Sequence, residues 1–195
     1  LGTNVAVGEA GLSGTLAAAL AALDCESLRV TQISRFYSTP CWPPGAGPDF
    51  VNAAAEIETE LSPDAVLARL HAVEAVFGRD RGTRWAARTL DLDLLAMGDL
   101  VLPDATTQTL WRTLPAEAQA REAPDRLILP HPRIQDRAFV LVPLADIAPD
   151  WRHPILGLTV AEMLAALPEA EKVGISPVSG PWAGLSALVK TFETQ

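Results

Sequence analysis

Arg84-Trp-Ala-Ala-Arg-Thr-Leu-Asp-Leu-Asp-Leu-Leu95, RWAARTLDLDLL, alternates leucine with aspartate directly after a loop rich in arginine. Alternation at period two predicts a strand from residue 89 to about residue 97, because successive side chains of extended backbone leave opposite faces. Leu90, Leu92 and Leu94 then share one face and Asp91 and Asp93 the other, with same-face neighbours roughly 7 Å apart along the chain. An amphipathic edge strand with its polar side in water has the same pattern. Upstream, Ser62-Pro63-Asp64 is a helix start: a capping hydroxyl, a proline for the first turn, and an acid near the positive end of the helix dipole. Val66, Leu70, Val73 and Phe77 follow at helical spacing, and Gly78 stops the run.

Further out, residues 27–38 and 50–59 read as strands around a loop punctuated by Pro40, Pro43, Pro44, Gly45, Gly47 and Pro48. A helix is expected over residues 13–23. Leu1-Gly-Thr-Asn4 reads as the end of a strand entering a loop, with Gly2 and Asn4 as turn residues. The order (strand)–helix–strand–strand–helix–strand predicts an α+β fold, a ferredoxin-like antiparallel sheet with helices packed on it in α/β/α layers. Residues 99–128 look irregular apart from a short helix near 115–121. Residues 134–147, interrupted by Pro143, and 159–167 look helical. After Pro168 the signal is weak, although Trp182, Leu185, Leu188 and Val189 suit a small packing face.

The 195 residues are enough to bury a core, and 49% apolar against 20% charged composition is that of a globular chain. No apolar run reaches the roughly 18 to 20 residues of a membrane span. Cys25 and Cys41 form neither a disulfide framework nor a zinc signature, which suits a reducing cytoplasm. A net charge of −9 argues against a general nucleic-acid binder. Yet Arg79, Arg81, Arg84 and Arg88 crowd one stretch, and guanidinium forks match phosphate oxygens. Arginines that balance nearby carboxylates on a solvated loop would look the same. Mg²⁺ takes one or two carboxylates together with substrate phosphates and water, and a pair of ions about 4 Å apart can hold both oxygens of a phosphoryl displacement. Acids and arginines converging on one place therefore imply a polyanion such as a nucleoside triphosphate. No Walker A loop or kinase catalytic loop is present, so side chains and metal rather than a backbone cradle would hold it.

RWAARTLDLDLL, followed by LPHPRIQDRAFVLVPL at residues 129–144, resembles the 6-hydroxymethyl-7,8-dihydropterin pyrophosphokinases of folate biosynthesis. LGTN at residues 1–4, RFYSTP at 35–40 and DFVNAA at 49–54 agree in the same order. The resemblance covers residue 1 to about 164. It implies transfer of the β,γ-diphosphate of ATP to the hydroxymethyl oxygen of the dihydropterin, releasing AMP. Asp91 and Asp93 would ligate two Mg²⁺ ions, and Arg79 and Arg88 would neutralise charge during transfer. Glu74, Arg81, Arg84, Trp85, Leu94, His131 and Arg137 would address ATP. Thr39, Pro40 and Asn52 would meet the pterin edge; Phe50 and Phe139 would sandwich its ring, with Trp42 and Trp85 closing from the loops. His71 and His153 receive no role. The loops 41–48 and 79–84 are expected to close over ATP and exclude water.

The implied organisation is a pyrophosphokinase domain over residues 1–167, with a long insertion at about 100–127, and an extension over 168–195. Trp111 in the insertion would cover core surface or meet another chain. The family carries a central strand ahead of the LGTN element, so either residues upstream of Leu1 or another segment of the chain is expected to fill that slot. The expected partners are the two small substrates alone, bound to a monomer without nucleic acid or membrane. A nucleotide-sensing module without turnover would lack the acids or the arginines, and an RNA-binding sheet would show aromatic surface motifs.

Overall fold

The computed structural model describes residues 1–7, 9–41, 47–78 and 89–178. Its elements run β1 (Gly2–Thr3), α1 (Gly11–Leu23), β2 (Arg29–Ile33), β3 (Tyr37–Thr39), β4 (Phe50–Asn52), β5 (Ala55–Glu58), α2 (Pro63–Val76), α3 (Ala105–Arg112), α4 (Ala116–Arg121), a 3-10 turn (Ile134–Asp136), α5 (Ala138–Ile147), α6 (Val160–Ala166), α7 (Glu169–Lys172) and β6 (Ser176–Pro177). Strands pair antiparallel in the order β1-β4-β3-β6, with β2-β5 beside them. The fold is mixed α+β and agrees with the ferredoxin-like expectation.

The two expected long strands form one hairpin, each broken once. Arg29 pairs with Glu58 and Val30 with Ile57, but Gln32 pairs with Glu56, so one extra residue bulges at Thr31. Ile33 pairs with Ala55 while Tyr37 pairs with Asn52, a second one-residue slip. Between them the Ser34 amide donates to Ala54 O at 2.9 Å, and the Ala54 amide donates to Ser34 Oγ at 2.9 Å. The hydroxyl stands in where the ladder lapses.

Helix α2 begins as its sequence requires. Ser62 Oγ accepts from the Ala65 amide, Pro63 opens the first turn, and Gly78 at φ +78° ends it. Its Val66, Leu70 and Val73 pack with Leu16 and Leu20 of α1 on Val30, Val51, Leu90 and Leu92 of the sheet. Arg69 Nη2 donates to Ala22 O at the carboxyl end of α1, where a cation is favourable. A second core of Ile134, Leu141, Val160 and Met163 joins α5 to α6, and α5 packs on β3, β4 and β5. Helices thus cover both faces of the sheet.

Four expectations change. Residues 89–97 are extended but not a laddered strand: β1 offers only two residues, and Asp91 makes a single bridge to Gly2. Gly2 is part of a strand rather than a turn. The stretch from Asp99 to Ile128 holds α3 as well as α4. Asp104 caps α3 by accepting from the Thr107 amide at 2.9 Å and hydroxyl at 2.7 Å. Its Gln108 is buried and Trp111 half-buried. The chain beyond Pro168 adds β6 to the edge of β3; the apolar tail positions 182–189 lie outside the described residues. Among the described residues no helix is long and apolar enough to cross a membrane.

His153 is fully buried, and its Nδ1 accepts from the Ile155 and Leu156 amides at 3.2 and 3.3 Å. Burial, aided by Arg112, pushes its pKa down to about 4. The unfolded chain therefore binds a proton below about pH 6.5 that the folded chain refuses until about pH 4, so stability falls as pH falls through that window. Relative to a His153→Phe variant, the wild type should lose on the order of 3 kcal/mol between pH 7 and pH 4 in urea titrations. Stability curves that run parallel in the two proteins would sink this assignment.

Candidate active site

A single rung crosses the sheet. Tyr37 pairs with Asn52, Asn52 with Gly2, and Gly2 with Asp91. Directly paired residues send their side chains to the same face. Tyr37, Asn52 and Asp91 therefore rise together, joined by Thr39, Phe50 and Asp93 two residues away along their strands. Val51, Leu90 and Leu92 take the other face, in the core with α1 and α2. The aspartate–leucine alternation does what the sequence suggests even though the ladder there is one bridge long.

Gly2, in the middle of the rung, contributes no side chain. A Cβ there would stand 2.4 Å from Asn52 Oδ1, so only glycine lets the Asn52 amide lie across the central strand. Asn52 Nδ2 donates to Thr39 Oγ1 at 2.7 Å, which fixes the amide's orientation. Phe50 is half-buried beside it, and Pro40 is exposed at the end of β3. The base of the following loop is tied by Asp49, whose Oδ1 accepts from the Cys41 amide at 3.1 Å.

At the other end, the backbone between the aspartates is pinned from beneath. Glu74 on α2 is 0% exposed, and its Oε1 accepts from the Leu92 amide at 2.8 Å. Glu74 thus supports the acidic segment from beneath. Leu94 likewise packs its side chain against the core. Asp91 is half-buried and the Asp93 side chain 41% exposed. Among the described residues no third His, Cys, Asp or Glu joins them in a metal-binding group.

The Pro-His-Pro-Arg loop is held against this segment by the insertion. Leu102 and Leu129 exchange backbone hydrogen bonds of 2.9 and 3.2 Å, Gln108 Nε2 donates to Pro130 O at 3.1 Å, and the His131 amide donates to Leu95 O at 2.8 Å. His131 Nδ1 accepts from the Arg133 amide at 3.1 Å, so the neutral ring carries its proton on Nε2. Burial pushes the His131 pKa down, against an upward pull from Asp93, which keeps the ring neutral near pH 7.

Arg137 and Phe139 stand where α5 begins. Arg137 Nη1 lies 3.9 Å from Asp93 Oδ2, and its guanidinium lies 5.6 Å from the centre of the Phe139 ring, which is 40% exposed. At the far end of α5, Asp146 gathers the amide, Nε and Nη2 of Arg35 at 3.1, 3.0 and 2.7 Å and the Tyr37 hydroxyl at 2.9 Å. Burial, then the bond to Asp146, pushes Tyr37 up to about 12, so it stays a donor. This clamp, absent from the sequence reading, sets α5 on β3.

The structure thus brings Thr39, Phe50, Asn52, Asp91, Asp93, His131, Arg137 and Phe139 to one side of the sheet, with Pro40 at the end of β3. Trp42, Arg79, Arg81, Arg84, Trp85 and Arg88, with residues 42–46 of the first expected closing loop and all of the second, lie outside the described residues.

The profile of the family described as 7,8-dihydro-6-hydroxymethylpterin-pyrophosphokinase (HPPK) matches residues 1–149. A Synechocystis sp. protein named 2-amino-4-hydroxy-6-hydroxymethyldihydropteridine pyrophosphokinase is 38% identical over 70% of the chain, and the chain spans 60% of that relative's length. Proteins of the same name from Methylorubrum extorquens and Pseudomonas aeruginosa are 38% and 41% identical over 86% and 72% of the chain, covering 90% and 74% of their own lengths. On the strength of the profile match and these identities, the chain belongs to the HPPK family.

Proposed function

We propose that the chain transfers the β,γ-diphosphate of ATP, intact, to the hydroxymethyl oxygen of 6-hydroxymethyl-7,8-dihydropterin, a reaction of folate biosynthesis. The observation that carries this reading is the rung on which Asn52 and Asp91 flank Gly2. Strand spacing puts their Cα atoms roughly 10 Å apart, and Gly2 adds no side chain of its own, so a flat bicyclic ring can lie over the rung with the Asn52 amide at one edge and the acid beyond it. Asn52 presents a carbonyl oxygen and a second N–H beyond the bond to Thr39, suited to an amine-and-amide edge. Phe50 and Phe139 supply faces for the ring, worth about 1–3 kcal/mol by analogy with base stacking.

Asp91 and Asp93 fit two Mg²⁺ ions, because they are hard oxygen donors on one face and leave the remaining positions to phosphate and water. Bound there, Mg²⁺ would lower the hydroxyl pKa and offset charge on the triphosphate. The rest falls to side chains. Arg137 and the Nε2–H of His131 would bind phosphate oxygens, charge-assisted bonds from arginine contributing about 1.5–3 kcal/mol each. Arg79, Arg81, Arg84 and Arg88 would complete that set, with Trp42 and Trp85 closing over the substrates.

The acceptor oxygen attacks the β-phosphorus, the bond from that phosphorus to the α,β-bridging oxygen breaks, and AMP leaves with the bridging oxygen. The hydroxyl proton passes to Asp91 or Asp93. Catalysis rests on positioning and electrostatics. The free thiols Cys25 and Cys41 suit a reducing cytoplasm.

With ATP, Mg²⁺ and the reduced pterin, the nucleotide product should be AMP by chromatography; ADP would mean monophosphoryl transfer and a wrong mechanism. Asp93→Ala should lower kcat on the order of 10³-fold or more, since several kcal/mol of metal stabilisation is lost. Its circular dichroism and melting temperature should match the wild type, and an Asp93→Ala enzyme of full activity would remove the metal assignment.

A further inference from the structure

Strand β6 lies beyond the residues matched by the family profile, yet it forms the edge of the sheet beside the proposed pterin site. Ser176 pairs with Ser38 and Pro177 with Tyr37, and the Val178 amide donates to Phe36 O at 2.8 Å. Val178 then packs its side chain against the main core. Pro177, which has no N–H to give, suits an edge position.

The turn that delivers β6 is tightly specified. Val173 has φ −60° and ψ 132°, Gly174 has φ +83°, and the Ile175 amide donates to Lys172 O at 3.2 Å. That is a type II turn, with glycine where positive φ is required. Gly174 also meets another surface: a Cβ on it would stand 2.7 Å from Pro40 Cγ and 3.4 Å from Pro40 Cδ. Pro40 follows Thr39, whose hydroxyl orients Asn52 on the other side of β3. The last residues of β3 are therefore held between the Asn52 amide and the Gly174 turn.

We propose that Gly174 is a positioning residue for the pterin subsite: its bare α-carbon lets the C-terminal turn rest against Pro40 and set where Thr39 and Pro40 meet the pterin. The inference rests on the reading of that subsite given above. A side chain at position 174 must push on Pro40, the first residue of the loop bounding the subsite, and the displacement is felt by the pterin and not by ATP.

Five variants of the full chain test this by steady-state kinetics and thermal unfolding. Gly174→Ala should raise KM for the pterin roughly tenfold, the equivalent of about 1.4 kcal/mol, with KM for ATP and kcat within about twofold of wild type. Gly157→Ala is the control, because Gly157 has φ +68° with nothing within 4 Å of an added Cβ; it carries the backbone cost alone and should leave pterin KM unmoved. Adding Pro40→Ala to Gly174→Ala removes the struck ring atoms and should return pterin KM to that of Pro40→Ala alone. A Gly174→Ala protein that melts earlier but binds pterin as Gly157→Ala does would overturn the inference while leaving the subsite intact. An Asn52→Ala enzyme with unchanged pterin KM would instead overturn the subsite reading itself.

Discussion

Everything on the working face depends on strand alternation being kept across four segments at once. Tyr37, Asn52, Gly2 and Asp91 form one rung, and their side chains share a face only because each segment arrives in the right phase. The hydrophobic side enforces that phase. Leu90 and Leu92 are drawn under α1 and α2, so Asp91 and Asp93 have nowhere to point but outward. Glu74 adds a polar lock from below: a carboxylate with no exposure must be satisfied, and the Leu92 amide satisfies it.

The rest of the molecule positions walls around that face. Asp146 ties α5 to Arg35 and Tyr37 at one end, and the other end of the helix carries Arg137 and Phe139. The insertion, through Leu102 and Gln108, holds the loop that carries His131. Segments far apart in sequence thus reach one site by clamps that are individually modest. Exposed ion pairs such as Arg29–Glu58 at the distal end of the hairpin contribute little by comparison.

How much of this was legible in the sequence follows from which signals are local. Helix α2 was readable because capping chemistry and apolar spacing agree over Ser62–Phe77. The two aspartates were readable because burial of their leucine neighbours is a period-two signal. Helix α3 was missed because its buried residue is Gln108, so no apolar rhythm marks it; the cap pair Asp104 and Thr107 was the available clue. Strand β6 was missed because Ser176-Pro177 has no strand propensity, and only pairing with β3 makes it one. Gly2 looked like punctuation since a glycine required for close approach and one required for a turn are identical in sequence. Glu74 falls on the buried stripe of Val66, Leu70 and Val73, and an acid in that position was the available sign of a buried carboxyl bonded to the neighbouring segment.

The paired slips in the long hairpin carry a consequence for how the chain tolerates changes of length. One bulge lies at Thr31 and the other between Ile33 and Tyr37, and each inverts which residues look toward α1 and α2. Two inversions cancel, so Ile33 is turned into the core while Tyr37 and Thr39 keep the phase that Val30 would have given them. Each slip holds one residue without a partner on the facing strand, so deleting a single residue at either slip would restore a regular ladder and leave the faces of Tyr37 and Thr39 unchanged. The hairpin thus absorbs single-residue changes of length at its bulges rather than passing them on to β3.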